Sequence, residues 1–317
     1  MTALRWKGFS LLPSFSIRER HYGEQQQAGR IVGDDLNVSS REFAAELVMP
    51  SLSRIFDSPK WLGDKLKHVI EPRAGFRWVG GVEDFDSLIR FDETELVSNT
   101  TEAEYSITNR FYVKRGGEVR EIASWQLWQR RYFDPSFGGA VVEGQRNVVL
   151  SAVEMTPFAF LDQPRHYSPV VSALRLNPTH ILGVEWRSDY DPLRGHITSS
   201  GIFADARYSH YFISLGNNNV RSVPLLTPPA NQFRGTFGIG NDNRRGWNAA
   251  FNAVYDFRVS VLQFATTQVT YNTDCCGFSV QYRRFSIGTR NENQFRMSFA
   301  VANFGSFGSL KRQERLF

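Results

Sequence analysis

The sequence predicts an all-β protein, an antiparallel transmembrane β-barrel, and three observations support this prediction. Apolar side chains occupy alternate positions along many segments, which is the period of a strand with two different faces. Several of these segments reach the roughly 9–11 residues that a barrel strand needs to cross a bilayer. No uninterrupted run of strongly apolar residues exceeds four, which excludes a transmembrane helix of about 20 residues.

The alternation is clearest in the last third of the chain. Apolar residues take every second position at Trp247, Ala249, Phe251, Ala253, Tyr255, Phe257 and Val259, with Asn248, Asn252, Asp256 and Arg258 between them. The same pattern returns over residues 276–285 and 295–301. Long strands with one apolar and one polar face are typical of a barrel whose outside contacts lipid and whose inside is wet.

Strand patterns recur along the whole chain and predict roughly twelve to fourteen strands joined as hairpins. In chain order they cover residues 9–22, 41–56, 65–79, 105–114, 120–132, 147–161, 167–176, 181–190, 197–215, 233–239, 247–259, 262–271, 276–285 and 295–301. Gly116-Gly117 predicts a short turn, whereas residues 80–100, 134–145 and 216–231 predict long loops. Short turns alternating with long loops are usual in outer-membrane barrels.

Three prolines lie in or at the ends of the first strands. Because proline lacks the amide hydrogen that a strand donates, Pro13, Pro50 and Pro72 predict edges, bends or locally loose pairing. The chain shows no repeat of fixed period and no convincing linker, so we expect a single domain over residues 1–317.

The charge balance does not point to a nucleic-acid partner. The formal charge is +5, from 37 Lys and Arg against 32 Asp and Glu. A nucleic-acid binder concentrates its basic residues in one patch, whereas the arginines here are spread over inward-facing positions of many strands. These arginines either line a lumen that accepts anionic groups or are simply solvated or paired.

Sequence signatures of catalysis are missing. The six histidines are dispersed without metal-ligand spacing, and no G-x-S-x-G, P-loop or G-x-G-x-x-G pattern occurs. We therefore expect no catalytic residue, no metal site, no cofactor and no enzymatic activity. An outer-membrane porin or receptor, or a soluble carbohydrate-binding or hydrolytic β protein, are the alternative interpretations of the strand pattern.

The only two cysteines are adjacent, Cys275-Cys276, beside the turn signal Asn272-Thr-Asp274. Neighbouring residues of an extended strand point to opposite faces, so we expect an ordinary disulfide between the two to be strained. Two interpretations stay open. The thiols are incidental, or each pairs with a cysteine elsewhere in an oxidising compartment such as the periplasm.

The two ends of the sequence give opposite indications about export to the outer membrane. The segment that follows Met1 has no apolar core and no small-residue cleavage site, so no signal peptide is visible. Because an outer-membrane barrel is exported, we expect that this chain lacks its natural amino terminus. Phe317 fits the terminal aromatic residue of many outer-membrane barrels.

Several short segments resemble the lipopolysaccharide-assembly family LptD, also called the organic solvent tolerance protein or OstA. They are Leu66-Lys-His-Val-Ile-Glu-Pro72, Thr108-Asn-Arg-Phe111, Leu127-Trp-Gln-Arg-Arg-Tyr-Phe133, Tyr167-Ser-Pro169, Asp189-Tyr-Asp-Pro192 and Cys275-Cys276. The resemblance covers most of residues 40–305. Each motif is short, and the vicinal cysteine pair is the most specific of them.

The resemblance implies a translocon that inserts lipopolysaccharide into the outer leaflet of the cell outer membrane. In that family the substrate leaves through a lateral seam between the first and last barrel strands. A lipoprotein similar to LptE plugs the barrel, and a periplasmic bridge similar to LptA delivers lipopolysaccharide to an amino-terminal jellyroll. By the same resemblance, Cys275 and Cys276 would form disulfides with that jellyroll. The present chain would be a carboxy-terminal, partial barrel that lacks the jellyroll.

This interpretation gives roles to particular strands. One lip of the lateral seam would be the strand carrying Phe295, Met297, Phe299 and Val301. The polar residues expected to face the lumen and its plug are Arg187, Asp205, Arg207, Asn252, Asp256 and Arg258.

Overall fold

The computed structural model describes residues 4–82, 87–89, 99–133, 165–221, 229–240, 245–287, 290–301 and 304–310. Within these ranges the chain forms nineteen β-strands and no α-helix. The strands are β1 (Leu4–Trp6), β2 (Phe9–Tyr22), β3 (Gln25–Gln27), β4 (Arg30–Val32), β5 (Leu36–Val48), β6 (Leu52–Asp57), β7 (Lys65–Gly80), β8 (Thr100–Arg115), β9 (Glu118–Tyr132), β10 (Val170–Leu176), β11 (Leu182–Asp191), β12 (His196–Tyr208), β13 (Tyr211–Val220), β14 (Ala230–Ile239), β15 (Gly246–Asp256), β16 (Val261–Asn272), β17 (Cys276–Ile287), β18 (Arg290–Val301) and β19 (Gly305–Gly308).

Seventeen of these strands belong to one sheet, and β3 and β4 form a separate hairpin. Each strand pair whose register is defined is antiparallel, so the predicted all-β, antiparallel fold class is confirmed. The structure has more strands than predicted because the predicted strands 41–56 and 197–215 each divide into two, and because β1, β3, β4 and β19 are only three or four residues long. Segments that short carry too little alternation to be detected.

The chain divides into two compact units. The first unit comprises residues 1–174, 187–199 and 223–226, and the second comprises residues 175–186, 200–222 and 227–317. Strands β11 and β12 each contribute residues to both units.

In the first unit, β7 pairs along its length with two different strands on one side. Its second half pairs with β5, from Arg41 opposite Gly80 to Val48 opposite Arg73, and its first half pairs with β6. The interruption between β5 and β6 contains Pro50, and Met49 N–H donates to the Pro72 carbonyl at 3.3 Å. Pro72 lacks an amide hydrogen, and the interruption lies opposite that missing donor. The pairing is therefore locally interrupted at Pro50 and Pro72, which is the loose pairing among the predicted alternatives.

In the second unit, strands β13 to β18 pair consecutively as hairpins. Strand β18 also pairs with the short β19 along residues 298–301. A register shift interrupts the β15–β16 pair between Val254 and Tyr255, which is the pattern of a β-bulge.

Three predicted boundaries in the second half of the chain are wrong. The predicted strand 197–215 is two strands, because Ser209 takes a left-handed conformation with φ of 55° in the turn between β12 and β13. The predicted strand 247–259 ends at Asp256, since residues 257–260 form a turn. Asn217–Asn219, predicted as loop, belong to β13, where Asn217 Nδ2 donates to Asn231 Oδ1 at 3.0 Å. The predicted strand 147–161 lies outside the described residues.

Few large apolar side chains are buried among the described residues. None of the phenylalanines in the described ranges is buried, and Phe295, Phe237 and Phe15 are 73%, 55% and 63% exposed. The buried set instead contains many polar residues, among them Glu102, Asp191 and Gln281. One small apolar cluster, Val38 with Val82 and Leu88, lies in the first unit. The sheet is thus inverted relative to an ordinary soluble β protein.

Candidate functional site: the polar face and the cysteine turn

The two faces of the sheet are separated by strand parity in the second unit. On one face, Phe278 lies opposite Phe299 and Tyr282 lies opposite Phe295, with the latter ring centroids 4.9 Å apart. On the other face, Ser279 lies opposite Ser298. The apolar members of this set are exposed, whereas both serines are buried. The polar face is therefore the side shielded from the surroundings.

In the first unit, the polar face carries a ladder of ion pairs across four neighbouring strands. Arg77 on β7 donates to Glu42 on β5 through Nε at 2.7 Å. Arg130 on β9 donates to Glu104 on β8 through Nε at 2.6 Å. Between these pairs, the carboxylate of Glu102 lies 3.9 Å from Arg77 and 3.8 Å from Arg130. We call these five residues the ion-pair ladder.

A second cluster of charges lies further along the same face of β7, β8 and β9. The guanidinium of Arg110 reaches Glu71 at 2.9 Å and Glu121 at 3.1 Å. Each side chain in this cluster is roughly one-quarter to one-third exposed. Arginine with two carboxylates on adjacent strands fixes the relative register of those strands through charge-assisted hydrogen bonds.

The most deeply buried charges of the first unit surround Asp191. Arg165 donates to both carboxylate oxygens of Asp191, at 3.1 and 3.0 Å, and the two side chains are 2% and 0% exposed. Arg194 donates to the same carboxylate at 2.8 Å, and so does the backbone N–H of Leu193 at 2.9 Å. A bidentate arginine contact of this kind is geometrically specific. It holds residue 165 against the turn that follows β11.

In the second unit, the buried polar face of β15 to β17 is made of amides and hydroxyls. Gln281 Nε2 donates to Gln268 Oε1 at 3.2 Å, and Gln268 Nε2 donates to Thr270 Oγ1 at 3.2 Å. The hydroxyls of Thr270 and Ser279 are 2.8 Å apart and share a hydrogen bond. Gln268 and Gln281 are 1% and 0% exposed. Buried polar groups paired in this way escape the cost of desolvation without a partner.

Two of the residues predicted to face the lumen join this polar face. Asn252 donates to Thr236 Oγ1 across the β14–β15 pair. Asp256, which is 4% exposed, accepts from Gln263 Nε2 at 3.2 Å and from the backbone N–H of Arg258 at 2.9 Å. Arg258 itself lies in the exposed turn 257–260 rather than on a strand.

The other three candidates are placed differently from one another. Arg187 is half-buried on β11, with its guanidinium 5.5 Å from the ring centroid of Trp128. Asp205 and Arg207 are exposed on β12. The guanidinium of Arg207 lies 5.1 Å from the ring centroid of Phe212, a distance that allows a cation–π contact. Of the five candidates in the second unit, Asn252 and Asp256 therefore lie on its polar face, whereas Asp205, Arg207 and Arg258 are exposed.

The proposed seam residues lie on β18, whose apolar face is exposed. Phe295, Met297 and Phe299 are 73%, 54% and 46% exposed, and Val301 is half-buried. β18 pairs with β17 along its whole length, but with β19 only at its carboxyl end. β18 is not the last strand, since β19 follows it, but it is the last long one among the described residues.

Cys275 and Cys276 lie at the turn between β16 and β17. Cys275 belongs to the bend rather than to the strand, so the two thiols are not directed to opposite faces, and their sulfur atoms are 2.6 Å apart. Both thiols are free. The Thr273 hydroxyl accepts from the backbone N–H of Cys276 at 3.0 Å and donates to the carbonyl of the same residue at 3.1 Å.

The Cys275 side chain is fully exposed at this turn. A hydrogen bond from the Cys276 thiol, and a second contact with the Thr273 hydroxyl, lower the pKa of Cys275 below its ordinary value. A lowered pKa increases the fraction of reactive thiolate at neutral pH. Nearby, Arg245 and Asp274 form an exposed ion pair. The contact with the Cys275 thiol raises the pKa of Cys276, whose side chain is half-buried, so the turn presents one exposed thiol of lowered pKa, Cys275, beside a second free thiol.

Two further features are absent from the described residues. No group of three or more His, Cys, Asp or Glu side chains within those residues is arranged to hold a metal ion. No helix in the same part of the chain is long and apolar enough to cross a membrane.

Comparison with known proteins yields structural likenesses but no sequence relative. No protein-family model matches the chain, and no curated protein matches it. Among solved structures, the chain is similar to a mutant porin of Rh. blastica, with 9% sequence identity and a TM-score of 0.35. That likeness covers 92% of this chain and 90% of the porin. The fold assignment rests on the strand registers and the burial pattern of this chain itself.

The ion-pair ladder was not among the predicted site residues. Its members do share one strand parity, since Arg77 lies opposite Glu102 and Glu104 lies opposite Arg130. Alternating charges on neighbouring predicted strands are therefore the signal that could have found them. That signal was hidden because β8 begins at Thr100, five residues before the predicted strand, so Glu102 and Glu104 fell outside it.

Proposed function

We propose that this chain is part of an outer-membrane β-barrel and that the barrel inserts lipopolysaccharide into the outer leaflet. The membrane part of the proposal is supported by one observation above all. The apolar face of the sheet is exposed, while carboxylates, amides and hydroxyls are buried on the other face. Exposed apolar surface on this scale is usual where a protein contacts lipid or another protein.

Strand geometry supports a lipid environment rather than a protein partner. In the described residues, strands β14 to β18 are 10 to 12 residues long, which suits the roughly 9–11 residues required to cross a bilayer. Aromatic pairs such as Trp247 with Tyr271, whose ring centroids are 5.0 Å apart, lie near strand ends. Aromatic residues at that level are typical of the girdles that flank the apolar band of a membrane barrel.

The transport part of the proposal is supported by the resemblance to LptD and by the Cys275–Cys276 turn. Two free thiols beside a strand end, one of them exposed, are suited to disulfides with a periplasmic domain. The exposed apolar residues of β18 would contact acyl chains of lipopolysaccharide as it leaves sideways. The partners would be a plug lipoprotein and a periplasmic bridge. The chain would carry no enzymatic activity of its own.

Site-specific photo-crosslinking tests the proposal in intact cells of a Gram-negative host. A photoreactive phenylalanine analogue replaces Phe299 on β18 or, as the matched control, Phe233 on β14, which is similarly exposed on the apolar face at 40% against 46%. We expect lipopolysaccharide to be captured at position 299 and not at position 233.

Two outcomes would contradict different parts of the proposal. Recovery of the chain in the aqueous phase without detergent would contradict membrane insertion and favour a soluble β protein. Insertion with ion conductance in planar bilayers, and without lipopolysaccharide capture at either position, would contradict transport and favour a porin.

A further inference from the structure

A concave groove interrupts the apolar face of the second unit. It has a volume of about 550 Å³ and is lined by residues of β12, β13, β14, β15 and β16. Pockets for small ligands usually measure roughly 300–1,000 Å³, so this groove is large enough to hold one. None of the predicted functional residues lies in it.

Small and large residues both line the groove. Ala206 and Ala249 contribute only methyl groups, while Tyr211, Phe237 and Phe251 contribute aromatic rings. Phe237 and Phe251 are cross-strand partners whose ring centroids lie 5.3 Å apart. This alternation of alanine and aromatic residues creates a depression where a uniform row of large residues would leave a flat surface. We call it the Ala249 groove.

The dimensions of the Ala249 groove suit a single extended chain. It crosses five strands, and four spacings of about 4.8 Å give a length of roughly 19 Å. The hydrocarbon region of one leaflet is about half of the 30 Å core of a bilayer. One acyl chain of a single leaflet is therefore close in length to the groove, and the apolar lining matches its chemistry.

Polar groups lie at one end of the groove. Tyr208 and Tyr211 line it, are 70% and 63% exposed, and flank the Ser209–His210 turn between β12 and β13. Tyrosines with an apolar ring and a polar hydroxyl are enriched at the level of lipid headgroups. Two phenol hydroxyls and an imidazole at this turn can donate hydrogen bonds to a phosphate group.

We propose that the Ala249 groove binds one acyl chain of a membrane phospholipid, with the phosphate group beside the Ser209–His210 turn. The inference rests on the proposed membrane location, because the apolar face meets this ligand only in a bilayer. It adds a second lipid contact, on strands other than β18. A groove continuous with the exposed apolar face would retain this lipid after other bilayer lipids are removed.

Native mass spectrometry tests the groove with phosphatidylglycerol as the probe. Protein recovered from outer membranes is freed of lipid in detergent, supplied with phosphatidylglycerol and released from micelles. The test variant is Ala249→Phe, which fills the groove. Its matched control is Ala253→Phe, on the same strand and the same face but outside the lining.

We expect one phosphatidylglycerol per chain for the unmodified protein and for Ala253→Phe. Retention by Ala249→Phe should fall roughly tenfold, the factor expected when about two CH₂ groups lose their burial. Equal retention by the two variants, or adducts of detergent alone on the unmodified protein, would overturn the inference. If Ala249→Phe does not fold, the milder Ala206→Leu decides by the same readout.

The two proposals fail in different ways in this experiment. If the unmodified chain is absent from the outer membrane, the proposed function fails. If the chain is recovered there but binds no phosphatidylglycerol selectively, only the groove inference fails.

Discussion

The two units of this protein bury polar side chains by different chemistry. The first unit shields many charges, with Glu102 buried in the ion-pair ladder and Asp191 buried near the end of β11, and each of these carboxylates has an arginine close by. The second unit buries mainly amides and hydroxyls, such as Gln268 with Gln281 on β16 and β17, together with the carboxylate of Asp256. Charged pairs hold strands more specifically, but breaking one leaves an uncompensated charge. Breaking a neutral pair lowers the free energy of unfolding by less. We therefore expect the two units to respond differently to equivalent substitutions.

The largest effect is expected at Asp191. Asp191→Asn leaves Arg165 buried beside a neutral side chain, and breaking a buried ion pair costs about 3–5 kcal/mol. The measurement is the free energy of unfolding by urea in detergent micelles. The control is Asp57→Asn, which removes an exposed ion pair with Lys65 and should leave stability unchanged. Equal effects of the two substitutions would show that burial does not set the cost.

A smaller effect is expected in the ion-pair ladder. Glu102→Gln removes the charge between Arg77 and Arg130, whose guanidinium groups then face each other across an amide. We expect a loss of about 1–3 kcal/mol, because Arg77 and Arg130 each lose one neighbouring carboxylate while they keep Glu42 and Glu104. Stability of Glu102→Gln should also depend more strongly on salt than that of the unmodified protein. Equal salt dependence of the two proteins would contradict the electrostatic explanation.

The neutral face of the second unit provides the contrasting test. Gln281→Leu leaves the amide of Gln268 without its 3.2 Å partner and should cost about 1 kcal/mol. The double substitution Gln268→Leu with Gln281→Leu replaces both amides by apolar groups and should restore part of that loss. The double variant could instead lose more free energy of unfolding than the two single variants together. In that case the neutral face behaves like the charged one, and the contrast between the units is wrong.

The smallest effect is expected at the cysteine turn. Its measurement is the reactivity of a thiol and not the free energy of unfolding. Because the pKa of Cys275 is lowered by its contact with the Cys276 thiol, its thiolate should form at lower pH than that of an ordinary cysteine. The rate of alkylation of Cys275 by iodoacetamide should therefore rise at lower pH in the unmodified protein than in Cys276→Ala. Identical pH profiles would mean that the neighbouring thiol does not stabilise the thiolate.

Alternation was a sufficient guide to the strands of the second unit but not to their ends. Residues 247–256 were predicted correctly because every second residue is apolar, and Phe257 and Val259 extend the same period into a turn. The sequence carries no signal there that separates strand from turn. Residue parity therefore predicts which face a side chain occupies better than it predicts where the strand stops.

The contacts within the site depend on register, which the sequence did not reveal. Arg77, Glu102 and Arg130 come together only because β7, β8 and β9 pair with Arg77 opposite Glu102 and Glu104 opposite Arg130. A shift of one residue would move every side chain of a strand to the opposite face. The position of Cys275 was also unpredictable, since the expectation of opposed thiols assumed an extended backbone that begins only at Cys276.

The interruption at Pro50 and Pro72 has a consequence for how the sheet assembles. A hairpin of β6 and β7 closes over residues 58–64, whereas β5 meets the other half of β7 only after the break. An error of register in the pairing of β7 with β6 is thereby kept from spreading into its pairing with β5. Inserting one residue between Met49 and Leu52 should then be tolerated better than the same insertion inside β8.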